Sequence, residues 1–107
     1  MRLSNGHELL SQITGAGCIL GTAIATFCGA ESMVGLASGP IESVLVKGDM
    51  FLATAAGTLA LTIAAQQAAD KEEVRGPGTF LPALIDELAV LTPEMILKTA
   101  KIEVETA

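Results

Sequence analysis

A mainly α-helical fold with at most short edge strands follows from three observations on this 107-residue sequence. Two long stretches, 13–30 and 50–69, contain no charged side chain. Within them small residues recur at steps of four, Gly21-Ala25-Gly29 and Ala56-Ala60-Ala64-Ala68, the spacing of one helix face. Leu81, Leu84, Ile85 and Leu88 form a further apolar stripe at helical spacing, opposed by Asp86 and Glu87. Strand-like alternation is confined to the C-terminal end. The length leaves room for one domain.

Taken in order, residues 1–3 read as the end of a strand, and Asn5-Gly6 as a turn leading into a loop or extended stretch over 6–14. A helix starts near Gly15 to Gly17 and runs to about Gly29, a C-terminal stop. Gly35, Gly39 and Pro40 break the next segment into a turn of helix around Val34 and then a loop. The longest helix lies between Asp49 and Lys71, charges that suit its two dipole ends. After a charged, then Gly/Pro-rich connection, Thr79 caps another helix, with Pro82 in its first turn. Thr92-Pro93-Glu94 restarts the helix with a cap, a first-turn proline and an acidic residue, and it ends by about Ala100. Ile102 and Val104 alternate with Glu103 and Glu105 as a brief edge strand or ordered tail. The two small-residue stripes predict that the first two helices approach each other closely.

Composition narrows the function. There is no Trp or Tyr and only three Phe, so the core packs backbones and is not filled by rings. A formal net charge of −6 and six scattered basic residues argue against nucleic acid, whose phosphates need clustered Lys and Arg. On one helix, Cys18 and Cys28 would stand about 15 Å apart, beyond the ~7 Å a disulfide spans. With residues 1–12 too polar for a signal peptide, the expectation is a reduced, cytoplasmic protein. Stretches 13–30 and 50–69 approach the length of a spanning helix. The first is short and holds four Gly and three Thr, the second ends in Gln66-Gln67, and neither has an aromatic belt. Burial within a protein is the preferred reading of both.

Thr14-Gly15-Ala16-Gly17-Cys18 carries the chemistry. The first N–H groups of a helix lack internal partners, and the dipole leaves about half a positive charge there. Glycine lets a ligand approach such amides without a Cβ in the way. The Gly15, Ala16 and Gly17 amides therefore form a candidate anion cradle for phosphoryl transfer. The plain alternative is a glycine-rich helix start that binds nothing. Cys18, on the first turn, is either a buried small hydrophobe or a group that takes the proton from a substrate alcohol. Cys28 reads as core. His7 has no second ligand nearby and reads as a turn residue, not a metal ligand. Glu72-Glu73 and Asp86-Glu87 read as solvated helix faces.

The run Asn5-Gly6-His7-Glu8-Leu9-Leu10-Ser11-Gln12-Ile13-Thr14-Gly15-Ala16-Gly17-Cys18 closely resembles a segment of the hydroxyethylthiazole kinases. These are ribokinase-like enzymes of thiamine biosynthesis and salvage. Gly76-Pro77-Gly78-Thr79-Phe80 and the helix after it resemble the same family's C-terminal element. Ala64-Ala65-Gln66-Gln67-Ala68-Ala69 stands where the family has a small-residue helix. The segment 38–47, with Val74-Arg75-Gly76-Pro77, is similar to the fungal bifunctional form fused to thiamine-phosphate synthase.

The resemblance implies the C-terminal helical part of a ribokinase-like α/β/α fold, with residues 1–107 as a partial kinase domain. It implies ATP-dependent phosphorylation of 4-methyl-5-(2-hydroxyethyl)thiazole, with Mg²⁺. Gly15, Ala16 and Gly17 would form the anion hole, Gly15 would also approach the thiazole alcohol, and Cys18 would occupy the position of the sugar kinases' aspartate base. The family's trimers, with sites between subunits, imply a homo-oligomer or association with an N-terminal portion. The chain resembles well under half of the usual enzyme, and the sheet and the acidic Mg²⁺ ligands are not in it. An isolated chain is therefore expected to be inactive.

Two other readings stand beside the kinase: a non-catalytic helical association module derived from one, and a small two-span membrane protein. Thermal stabilisation by nucleotide separates the first pair, and extraction in alkaline carbonate tests the last.

Overall fold

The computed structural model describes the backbone of residues 1–38 and 50–103, and the side chains of 1–31 and 50–103. The elements run β1 (Arg2–Leu3), a 3-10 helix (Glu8–Gln12), α1 (Ala16–Ser38), α2 (Met50–Ala69), α3 (Pro77–Val90), α4 (Pro93–Thr99) and β2 (Ile102–Glu103). The mainly α expectation is met. β1 and β2 pair antiparallel, Arg2 with Glu103 and Leu3 with Ile102, and Ser4 N–H extends the ladder to the Lys101 carbonyl.

Helix α1 continues past Gly29, where the sequence reading ends it. A glycine stops a helix by turning to positive φ, and among the described residues only Gly6 and Gly15 do so. The helical turn expected around Val34 is the end of α1 itself. The break at Gly39-Pro40, the similarity over 38–47 beyond Ser38, the cap at Asp49 and the alternation at Val104-Glu105 lie outside the described residues. α3 begins at Pro77, with Gly76 as its cap, three residues ahead of the expected cap Thr79. Thr79 acts from inside the first turn: its hydroxyl accepts the Arg75 N–H at 2.9 Å. Pro82 consequently sits within the helix and not in its first turn. α4 matches expectation, with Thr92 Oγ1 accepting the Met95 N–H and Ala100 N–H closing on the Ile96 carbonyl.

Helix α2 is the centre of the fold. It is long and apolar enough to cross a membrane by length and composition. Nine of its residues are buried, and they lie on several faces, because α1, α3 and the 3-10 helix all pack on it. The core joins Leu61, Ala64, Ala65 and Ala68 to Phe80, Ala83 and Leu84, with Leu9, Leu10 and Ile13 closing one side. Phe80 follows the cap too closely to appear in the leucine stripe, yet it is fully buried, whereas the predicted stripe member Ile85 is 53% exposed.

The small-residue stripes pack differently from expectation. Gly21, Ala25 and Gly29 are exposed, and a Cβ on either glycine would meet nothing within 4 Å. The close approach instead uses Gly57, where a Cβ would lie 2.7 Å from Ile24 Cα and 2.8 Å from Ile24 N. Periodicity shows that small residues share a face, not which face finds a partner. The threonines on these helices bond back to their own backbone: Thr22 to the Cys18 carbonyl, Thr26 to Thr22, Thr54 to Met50 and Thr58 to Thr54. They thereby occupy apolar helices without needing other partners.

Two polar ties join distant segments. Buried Asn5 donates to Gln66 Oε1 at 2.7 Å and to the Thr99 carbonyl at 3.0 Å, and accepts the Lys101 N–H at 2.6 Å. Lys71 Nζ meets Glu87 Oε1 at 2.7 Å, so Glu87 is paired across the α2–α3 connection rather than simply solvated. The hydrogen-bonded Glu87 carboxylate raises the Lys71 pKa. The contribution of the pair is therefore present at neutral pH and lost as pH rises through the raised value. Glu72 and Glu73 lie exposed in the turn after α2 and not on a helix face.

Phe80→Ala, at a position with no exposed surface, should destabilise the chain by about 3–5 kcal/mol. Leu97→Ala, 82% exposed, should change stability by no more than about 0.5 kcal/mol. Urea unfolding midpoints of the two variants check the contrast.

Candidate functional site

The turn before α1 is assembled from both sides. His7 starts the 3-10 helix: its Nδ1 accepts the Leu9 N–H at 3.1 Å, and its ring lies 6.5 Å from that of Phe80. His7 is thus a cap, in keeping with its reading as a turn residue. Leu9, Leu10 and Ile13 anchor the segment on the core. The chain then reverses at Gly15, which has φ +95°, a conformation that costs an L-residue with a Cβ about 1–2 kcal/mol. The Gly15 carbonyl accepts the Ile19 N–H at 3.0 Å, the first bond of α1.

Ala16, Gly17 and Cys18 therefore occupy the first three helical positions. Among the described residues no backbone hydrogen bond uses their N–H groups. Gly15, Gly17 and Cys18 are exposed and Ala16 is half-buried, so no other helix covers this end. A Cβ on Gly15 or Gly17 would meet no atom within 4 Å. The four sequence-predicted site residues are contiguous, and the structure leaves their donors open.

Cys18 is a free thiol on the solvent side of the first turn, not a buried one. It borders an open recess of about 360 Å³ lined with Ile19, Thr22, Ala23 and Leu88. Leu88 brings α3 to the edge of the site, a neighbour that no local pattern around Cys18 reveals. Cys28 is half-buried, its Sγ 4.0 Å from Thr54 Oγ1, and so only partly fits its reading as core. Among the described residues no group of three or more His, Cys, Asp or Glu could hold a metal ion.

The open, glycine-framed helix start beside a thiol is thus carried on a mainly helical scaffold, with only a two-stranded sheet among the described residues. The particular family is set by comparison. The chain matches the hydroxyethylthiazole kinase family over residues 1–94 and belongs to it. It is 37% identical over 103 residues to the hydroxyethylthiazole kinase of Thermoanaerobacter pseudethanolicus, covering 96% of this chain and 33% of that protein. The hydroxyethylthiazole kinase of Desulfitobacterium hafniense is 34% identical over 101 residues, covering 94% and 32%. That of Caldivirga maquilingensis is 36% identical over 102 residues, covering 95% and 32%. The chain spans about a third of the length of the relatives it matches.

Gly15→Ala should cost about 1–2 kcal/mol because of its positive φ. Gly17→Ala, inside the helix and unobstructed, should instead stabilise by up to about 1 kcal/mol through helix propensity. Opposite shifts of the urea midpoint are the expected result.

Proposed function

We propose that this chain is the C-terminal portion of an ATP-dependent kinase that phosphorylates the hydroxyl of 4-methyl-5-(2-hydroxyethyl)thiazole in the cytoplasm. The observation that carries the reading is the set of unpartnered, accessible N–H groups at Ala16, Gly17 and Cys18. Phosphoryl transfer needs positioning and charge stabilisation more than covalent chemistry from the protein. Fixed amides aimed at the transferring group supply the second.

In this reading Gly15, Ala16 and Gly17 form the anion hole, and Gly15 lies beside the substrate alcohol. The hydroxyl proton passes to the Cys18 sulfur while the alcohol oxygen bonds to the γ-phosphorus and the bond to the ADP oxygen breaks. ATP supplies the phosphoryl group. Three open amides fit a phosphate and no more of the nucleotide than that. The residues that would hold Mg²⁺ are assigned to the two thirds of the family's length that this chain does not span, and no step is routed through the metal here.

The exposed apolar surface supports association with such an N-terminal portion. Phe51, Leu52, Val90 and Leu97 are each more than half exposed. An apolar groove of about 620 Å³ runs between the helices, lined by Ala23, Phe27, Ala60, Leu88 and Ile96 among others. Exposed apolar side chains gathered around a groove favour a partner over open water. Oligomerisation of the assembled enzyme, as the family resemblance implies, would use the same property.

The recess beside Cys18 is open on the solvent side, and among the described residues none stands opposite the cradle to hold a thiazole. ATP-dependent phosphorylation of the thiazole alcohol by the purified 107-residue chain should be absent. Turnover should appear when the N-terminal portion of a relative is added, and Cys18→Ala should lower it. Robust turnover by the chain alone contradicts the proposal, as does a complemented enzyme indifferent to substitution at both Gly15 and Cys18.

A further inference from the structure

We infer that Gly57 is the positioning residue for the anion cradle: by letting the α2 backbone touch α1 at Ile24, it sets where the Ala16–Cys18 amides stand. The inference rests on the cradle reading above, which it deepens. Gly57 is buried and belongs to neither the cradle nor the recess beside Cys18.

A Cβ at Gly57 would meet Ile24 Cα at 2.7 Å, Ile24 N at 2.8 Å and Ala23 C at 3.1 Å. All three are backbone atoms of a continuous helix, so no side-chain rotation relieves the overlap. Reaching the 3.4 Å of ordinary contact requires α1 and α2 to part locally by about 0.7 Å. Ile24 lies eight residues beyond Ala16, or about 12 Å along the helix. Over that length a helix moves nearly as a rigid rod, so parting at Ile24 translates or tilts its N-terminal end.

Ile19 and Leu20 also rest on the core, but through side chains that can rotate, whereas the contact at Gly57 meets backbone atoms. Gly17, Gly21 and Gly29 have open space where a Cβ would stand, and Cys18, Thr22, Ala25 and Thr26 are exposed. At the other end of the turn, Leu9, Leu10 and Ile13 keep the 3-10 helix on the core. A displaced α1 must therefore be absorbed at Gly15, the flexible junction between them. The consequence reaches function, because a misplacement of about 1 Å remote from the reacting atoms can lower a rate about 10²-fold.

The test compares amide resonances of the full chain and its variants without ligand. Gly57→Ala should shift the Gly15, Ala16, Gly17 and Cys18 amides while Gly29→Ala, three turns away with open space at its Cβ position, leaves them in place. A purely structural glycine would lower the melting temperature and leave those four resonances unmoved in the folded fraction, which would overturn the inference. To keep the variant measurable, spectra are also taken in the cold with a stabilising osmolyte. A Gly57→Ala chain unfolded even there overturns it too, by making Gly57 a folding requirement. Because no phosphate is present, the outcome is independent of whether the wild-type cradle binds one.

Discussion

The contact between Gly57 and the backbone of Ala23 and Ile24 is the constraint from which the rest of the molecule follows. With few rings to fill space, this chain builds its interior by bringing helix backbones together. That choice makes α2 the common partner: α1 lies on one side, α3 on another, and the 3-10 helix closes the end. Alanine at 64, 65 and 68 leaves room for Phe80, Leu84 and the leucines of the 3-10 helix, so the few large side chains are concentrated there. Such packing loses more to one extra methyl group at a backbone contact than a ring-filled core would.

The same economy leaves the turn before α1 free. Residues 5–14 are tied down by Asn5, His7 and three apolar side chains, while α1 is held along its length by α2. Gly15 joins two fixed bodies through a conformation available mainly to glycine. Among the described residues no backbone hydrogen bond uses the amides that follow. The chain belongs to the hydroxyethylthiazole kinase family and covers about a third of the length of the relatives it matches.

How much was legible in the sequence depended on whether the determining interaction is local. Thr92-Pro93-Glu94 contains its own cap, proline and acidic first turn, and α4 starts there. The glycine-flanked start of α1 was readable for the same reason, whereas the choice between edge strand and ordered tail at Ile102 was settled by pairing with Leu3, at the other end of the chain. Gly29 misled because glycine ends a helix only when the chain turns to positive φ, which the residue type permits but does not require. Thr79 misled because its hydroxyl serves the Arg75 N–H from within the helix instead of capping it from outside. The exposure of the Gly21-Ala25-Gly29 face, the role of Gly57 and the approach of Leu88 to Cys18 are all set by tertiary contacts. No spacing rule specifies those.

The most direct test of the account is titration of the chain with inorganic phosphate while its backbone amides are followed by NMR. Saturable shifts centred on Ala16, Gly17 and Cys18, weakened by salt as an electrostatic site requires, are the result the account predicts. Unchanged amides at these positions, or shifts confined to another part of the chain, would contradict it.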